Sequence, residues 1–218
     1  NPKRSASSML KRTIDFSSIS AIQQTILYVG RLLVQSGVNA LGVDAVAAFN
    51  AVSIIDSYVL APGDSLAASI TTYSAQNLGA KEYERIPQGL RKILVIAEIY
   101  IILTAVAVLL CRHPLLGIFL KPNEIEALRQ GMSYLIPMAV FYFLSGITNS
   151  FQGYYRGMGN MPMTLLGTLI QTSLRVVTTC ILAPRMGMYG IAFACATGWC
   201  VMLMVEVPFY FWQKARNE

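Results

Sequence analysis

The chain has 218 residues, 55% of them hydrophobic and 13% charged, whereas soluble domains carry about 25% charged residues. That balance, with a mean hydropathy of +0.52, excludes an ordinary soluble domain. The net charge of +6 comes without surface aromatics interleaved in polar elements, so it reads as membrane topology and no nucleic acid is expected as a partner.

Residues 1–13 place Lys3, Arg4, Lys11 and Arg12 among serines, which predicts a solvated basic segment leading into a membrane. The chain starts Asn1-Pro2, and no short apolar stretch with a small-residue cleavage site lies nearby. It is therefore expected to be a fragment or processed piece of a longer polypeptide, without a signal peptide. Six spans follow within residues 14–213, each near the ~20 residues that cross ~30 Å of hydrocarbon. They cover about 14–39, 44–77, 89–111, 131–155, 161–184 and 189–212, and residues 214–218 form a tail. The expected fold is all-α, a polytopic membrane lobe of six helices.

The second span is the most informative. Val52, Ile55, Val59, Leu66, Ile70 and Tyr73 recur at helical spacing and predict one apolar stripe, turned to lipid. Ser53, Asp56, Ser57, Asp64, Ala67, Ala68 and Thr71 complement it and predict a wet or polar face. Pro62-Gly63 sits between, where proline removes a backbone donor and bends a helix. Further on, Arg112–Arg129 is the longest connection, with Leu115–Leu120 expected at the interface. Gly157–Pro162 reads as a tight turn with Pro162 at a helix start.

An even number of spans puts both termini on one side. That side holds Lys3, Arg4, Lys11, Arg12, Lys81, Arg85, Arg91, Lys92, Arg156, Lys214 and Arg216, whereas the other holds Arg112, Lys121, Arg129 and Arg185. The positive-inside rule makes the first side cytoplasmic. The expected location is a plasma (inner) membrane crossed several times.

Charges inside hydrocarbon cost several kcal/mol unless paired or wet. Arg31 in span one and Arg175 in span five lie roughly 12 Å from the outer end, and Asp56 roughly 18 Å, at 1.5 Å per residue. Asp56 either lines a cavity and exchanges between Arg31 and a bound cation or proton, or forms a static pair with Arg31 that fixes helix packing. Asp64, just past Pro62, either joins freed carbonyls in a cation site or caps the second half of the helix. Glu98 and Glu206 either carry protons or hydrogen-bond a neighbour in neutral form. Arg175 follows Gln171 at i+4 and favours a structural role. Gln23, Gln24, Gln35, Asn39, Asn50 and Asn149 either line a polar cavity or act as glue between helices.

One histidine, His113, cannot supply a catalytic constellation, so an enzyme is not expected. Cys111, Cys180, Cys195 and Cys200 include no C-x-x-C and read as apolar filler, with a Cys111–Cys180 disulfide as the lesser reading. No metal site is expected. Gly153 and Gly157 match a small-x-x-x-small packing motif.

Three stretches carry a resemblance. Ala75-Gln76-Asn77-Leu78-Gly79-Ala80-Lys81, followed by Arg85, resembles a Q-x-x-G-A cytoplasmic loop. Gln152-Gly153-Tyr154-Tyr155-Arg156-Gly157-Met158-Gly159-Asn160, followed by Pro162, resembles an R-G-x-G turn. Gly187-Met188-Tyr189-Gly190-Ile191-Ala192 with Gly198-Trp199, preceded by Arg175-Val176, resembles a last hairpin. In this order they are similar to the C-terminal half, spans seven to twelve, of the multidrug and toxic compound extrusion (MATE) transporters. The resemblance implies two six-helix lobes and export of organic cations and other amphipaths by antiport with Na⁺ or H⁺ through alternating access. It implies no cofactor beyond the coupling ion. It makes an N-terminal lobe with its own Q-x-x-G-A-type loop, the bilayer and small organic cations the partners. Some members place a cation site on acids in their seventh and tenth spans. Here span one has no mid-membrane acid and span four has none, which moves the expected site to Asp56 and Asp64, with Gln35 and Asn50 beside them and Arg31, Arg175 and Glu98 as coupling or ion-pair residues. The alternatives are a lipid-linked saccharide flippase of the same superfamily and a non-transporting membrane scaffold.

Overall fold

The computed structural model describes the backbone of residues 2–217 and the side chains of 10, 11 and 13–216. Seven helices follow in order: α1 (Pro2–Asn39), α2 (Val43–Gly79), α3 (Arg85–Leu110), α4 (Arg112–Phe119), α5 (Ile125–Gly157), α6 (Met161–Met186) and α7 (Met188–Asn217). No strand occurs among the described residues. α2, α3, α5, α6 and α7 are long and apolar enough to cross a membrane. α1 is as long, at 38 residues, but Gln23, Gln24, Arg31 and Gln35 interrupt its apolar run.

The helices run past several expected ends. Residues 2–13 are not a separate segment. They form the start of α1, because Pro2 stands at the first helical position, where its missing N–H is harmless, and no glycine or second proline intervenes before Gly30. α3 starts at Arg85, not at 89, since Pro87 falls in its first turn, where a lost donor breaks no intrahelical bond. α7 carries the expected tail onward to Asn217. α2 stays helical through Pro62.

α5 is the central post. It packs along α2, α3 and α7, while α6 lies between α7 and α1. α1 touches α2 lightly, and α5 touches α6 lightly. Lipid tails are as apolar as leucine, so helices in a bilayer are held by close packing rather than by exclusion of water. Gly153 and Gly157 supply that closeness on α5. A Cβ at Gly153 would collide with the Ala67 carbonyl and the Ile70 side chain of α2. One at Gly157 would reach 2.8 Å from Ser74 Cβ and press on the Thr71 carbonyl. Thr71 Oγ1 donates to the Gly153 carbonyl at 2.9 Å, an inter-helix bond that this approach permits.

That contact corrects the reading of α2. Its stripe of Val52, Ile55, Val59 and Ile70 is buried in the bundle, not turned to lipid. The exposed side carries Asn50, Ser57, Tyr58, Asp64, Ser65, Ser69, Thr72 and Gln76. Helical spacing finds an apolar stripe but cannot say whether protein or lipid covers it.

The turns follow their sequences. α2 closes with Lys81 in the left-handed region, φ 62°, while the Ala80 N–H returns to the Gln76 carbonyl at 2.9 Å. After α5, Gly159 takes φ 75°, and the Asn160 side chain caps α6 by accepting from the Met163 N–H at 3.3 Å. Gly89 leaves room for the Tyr73 ring, whose hydroxyl donates to the Arg85 carbonyl at 3.3 Å. All four cysteines are free.

Candidate functional site

Three acids point at α5, and α5 answers each with a polar side chain. Tyr142 donates its hydroxyl to Asp56 Oδ1. Asn149 donates its amide to Asp64 Oδ1 at 3.2 Å. Gln152 donates its amide to Glu206 Oε1. The three donors are seven and three residues apart on one helix, so the acids form layers about 10 Å and about 5 Å apart along the bundle at 1.5 Å per residue.

The first layer gathers residues from four helices. Asp56 of α2 is partly buried. Tyr142 and Tyr134 of α5 are 0% and 1% exposed. Arg175 of α6 lies beside Tyr134 and Cys195 of α7, and its Nε has no hydrogen-bond partner among the described residues. The positive charges that reach Asp56 belong to Arg175 and Arg31. No ion pair closer than 4.0 Å joins Asp56 to either arginine among the described residues. The expected Arg31–Asp56 pair is therefore absent from this structure. Arg31 is exposed on α1, and the light α1–α2 contact holds it away from Asp56.

The second layer is open. Asp64 is exposed, and the charges of Arg156 and Arg31 act on it. Its carboxylate is not a cap, because α2 is continuous on both sides of it. Along the same exposed face, Ala68, Ser69, Thr72, Tyr73 and Gln76 line a shallow groove of ≈ 440 Å³.

The third layer is dry. Gln23 of α1 donates to Thr168 Oγ1 at 2.6 Å, to Gln152 Oε1 at 3.3 Å and to the Thr164 carbonyl at 3.4 Å. Tyr155 donates its hydroxyl to the Glu206 backbone carbonyl. Glu206 is 0% exposed.

Other expected site residues lie elsewhere. Gln35 bonds Asn39 along its own helix at 3.1 Å. Asn50 is exposed near the start of α2. Glu98 of α3 is not in the Asp56 layer; it packs on α5 at Gly146, and its buried Oε1 has no partner. Gln76, Gly79 and Ala80 form the end of α2. Arg85 opens α3 and meets Glu82 at 3.7 Å on the surface, an arrangement worth about 0–1 kcal/mol. Arg156, Gly157 and Gly159 close α5. The reading of the sequence missed Tyr134, Tyr142 and Gln152 as partners. A signal was available: Tyr134, Tyr142, Ser145, Asn149 and Gln152 recur at steps of three, four and eight, a polar stripe on a membrane-length helix.

A bundle of membrane-length helices with acids and arginines converging inside it defines a multi-pass membrane protein. Residues 20–181 match the MatE family, and the chain belongs to that family, whose members are transporters and not enzymes. It is 28% identical over 173 residues, 79% of this chain and 38% of the relative, to the probable multidrug resistance protein YpnP of Bacillus subtilis (strain 168). It is 29% identical over 105 residues, 48% of this chain and 23% of the relative, to the probable multidrug resistance protein YoeA of the same organism. The fold is shared with an outward-facing multidrug resistance MATE family transporter of the MOP superfamily, at TM-score 0.86 and 18% identity, over 94% of this chain and 45% of that one. It is shared with the Vibrio cholerae MATE transporter VcmN in the bent form, at TM-score 0.85 and 20% identity, over 96% of this chain and 48% of that one. It is shared too with a MOP superfamily transporter of Pyrococcus furiosus, at TM-score 0.81 and 19% identity, over 92% and 44%. That protein is described as having a binding pocket of reverse polarity that suggests a different function. The chain thus spans about half the length of these transporters, and less than half of its curated relatives.

Proposed function

We propose that this chain is one six-helix lobe of a cation-coupled antiporter that exports amphipathic or cationic drugs by alternating access. A second, N-terminal lobe of the same kind faces it, in a plasma (inner) membrane with both termini of this chain cytoplasmic. The coupling ion is Na⁺ or H⁺, and no other cofactor takes part. The observation that carries this reading is the exposed face of α2. Asn50, Asp64 and Gln76 lie on it among hydroxyls that bond their own helix's carbonyls, and the Asp64 carboxylate is costly against lipid. Facing a second lobe across water, this face becomes the wall of a pathway, with Asp64 on the wall and Asp56 behind it. The relatives' description as probable multidrug resistance proteins supports drugs as the cargo.

The exposure of Arg31, whose charge reaches Asp64, favours a second reading, a lipid-linked saccharide flippase with an anionic substrate. Ethidium efflux from cells expressing the complete gene product, with and without a Na⁺ or pH gradient, separates the two. Gradient-dependent efflux is expected. Efflux indifferent to both gradients, or no efflux, overturns the antiporter reading. Asp56→Asn is expected to abolish efflux at unchanged expression, and undiminished efflux removes Asp56 from the mechanism.

A further inference from the structure

The Glu206 layer is used by nothing described so far. Glu206 is 0% exposed, and its Oε2 is buried with no hydrogen-bond partner among the described residues. Its Oε1 accepts one amide N–H from Gln152. The groups around it come from every helix packed on this part of α7. α5 presents Gln152 and the Tyr155 phenol. α6 presents Gly167, while its Thr164 and Thr168 hold Gln23 of α1, which in turn bonds Gln152. No positive charge among the described residues acts on Glu206. A lone N–H does not hold a carboxylate charge in a dry interior, where an unpaired ion costs several kcal/mol or more.

The surroundings also tell a proton from a metal cation. Hard cations bind oxygen. Here Gln152 turns its N–H to the carboxyl, and Gln23 spends its amide donors on Thr168, Thr164 and the far side of Gln152. The carboxyl faces a donor on one oxygen and nothing on the other.

We propose that Glu206 is a proton-binding site, holding a proton on Oε2 while Gln23 of α1 closes the pocket and releasing it to water when α1 parts from α5 and α6. Release breaks the O–H bond, leaves the electron pair on the carboxylate and passes the proton to a water molecule; rebinding reverses this. Gly167 makes the pocket large enough, because a Cβ there would sit 2.6 Å from Glu206 Oε1 and 2.7 Å from Gln152 Nε2. The site rests on pocket geometry. Its use as a coupling site in an exporter rests on the transport reading above.

Infrared difference spectra of the purified complete gene product, recorded as pH is raised from acidic to alkaline, test it. A protonated-carboxyl carbonyl band that persists at neutral pH is expected, unchanged by added Na⁺ and lost in Glu206→Gln. Gln152→Leu keeps the acid but removes the N–H from Oε1, so it is expected to move that band to higher frequency. The proposal is overturned if Glu206→Gln leaves the neutral-pH spectrum as it was, or if Na⁺ removes the band. Should Glu206→Gln not fold, the Gln152→Leu shift decides, and an unmoved band overturns the proposal. Failure of ethidium export with the band intact sinks the transport reading and spares this one. Loss of the band leaves the transport reading standing on Asp56 and Asp64.

Discussion

Asp64 and Glu206 make a natural experiment. Each is an acid on a membrane-length helix, and each is held by an amide from α5, Asn149 in one case and Gln152 in the other. Asp64 opens to the outside of the lobe beside the charges of Arg156 and Arg31. Glu206 of α7 is sealed against α1, α5 and α6, with no charge beside it among the described residues. The same pairing therefore does different work. On the open side water solvates whatever the amide leaves unsatisfied, so the bond positions the acid and adds little energy. On the sealed side the amide is the carboxyl group's one polar contact, and its loss leaves a buried group bare.

The contrast is sharpest in Gln152→Leu. It is expected to lower stability by about 1–3 kcal/mol, the penalty for an unsatisfied buried polar group, read as a lower unfolding midpoint in detergent. A midpoint equal to the parent's would show that water already reaches Glu206. Gly167→Ala comes next, at about 1 kcal/mol, since its Cβ must push the Glu206 and Gln152 head groups apart; the same unfolding measurement checks it. Asn149→Ala is expected to change stability by less than about 0.5 kcal/mol, as exposed polar contacts do, while altering the Na⁺ or pH dependence of efflux. A large drop in its unfolding midpoint would mean that the Asp64 layer is as closed as the Glu206 layer.

Much of the architecture was legible in the residues. Apolar runs of the right length mark the long helices, and Pro162 marks the start of α6 because a first-turn proline has a local cause. Gly153 and Gly157 announced a close helix pair, and α2 fills that place. What stayed hidden depended on partners distant in sequence. The α2 stripe was assigned to lipid because the hydropathy of Val52 or Ile55 is the same against a bilayer or against α5. Depth brings Arg31 within reach of Asp56, yet depth fixes height in the membrane and leaves angle around the bundle free. Tyr142 and Gln152 stand out only when polar positions three, four and eight apart on α5 are read together, and neither residue alone announces an acid partner.

The placement of all three acid-holding donors on α5 has a consequence for variation. The acids sit on α2 and α7, but the side chains that donate to them share one stretch of the gene a few dozen codons long. Exchanging α5 for the equivalent helix of another lobe would retune all three acids together, with every carboxylate still in place. Divergence around the acids can thus proceed through a single helix, without touching the residues that carry the charge.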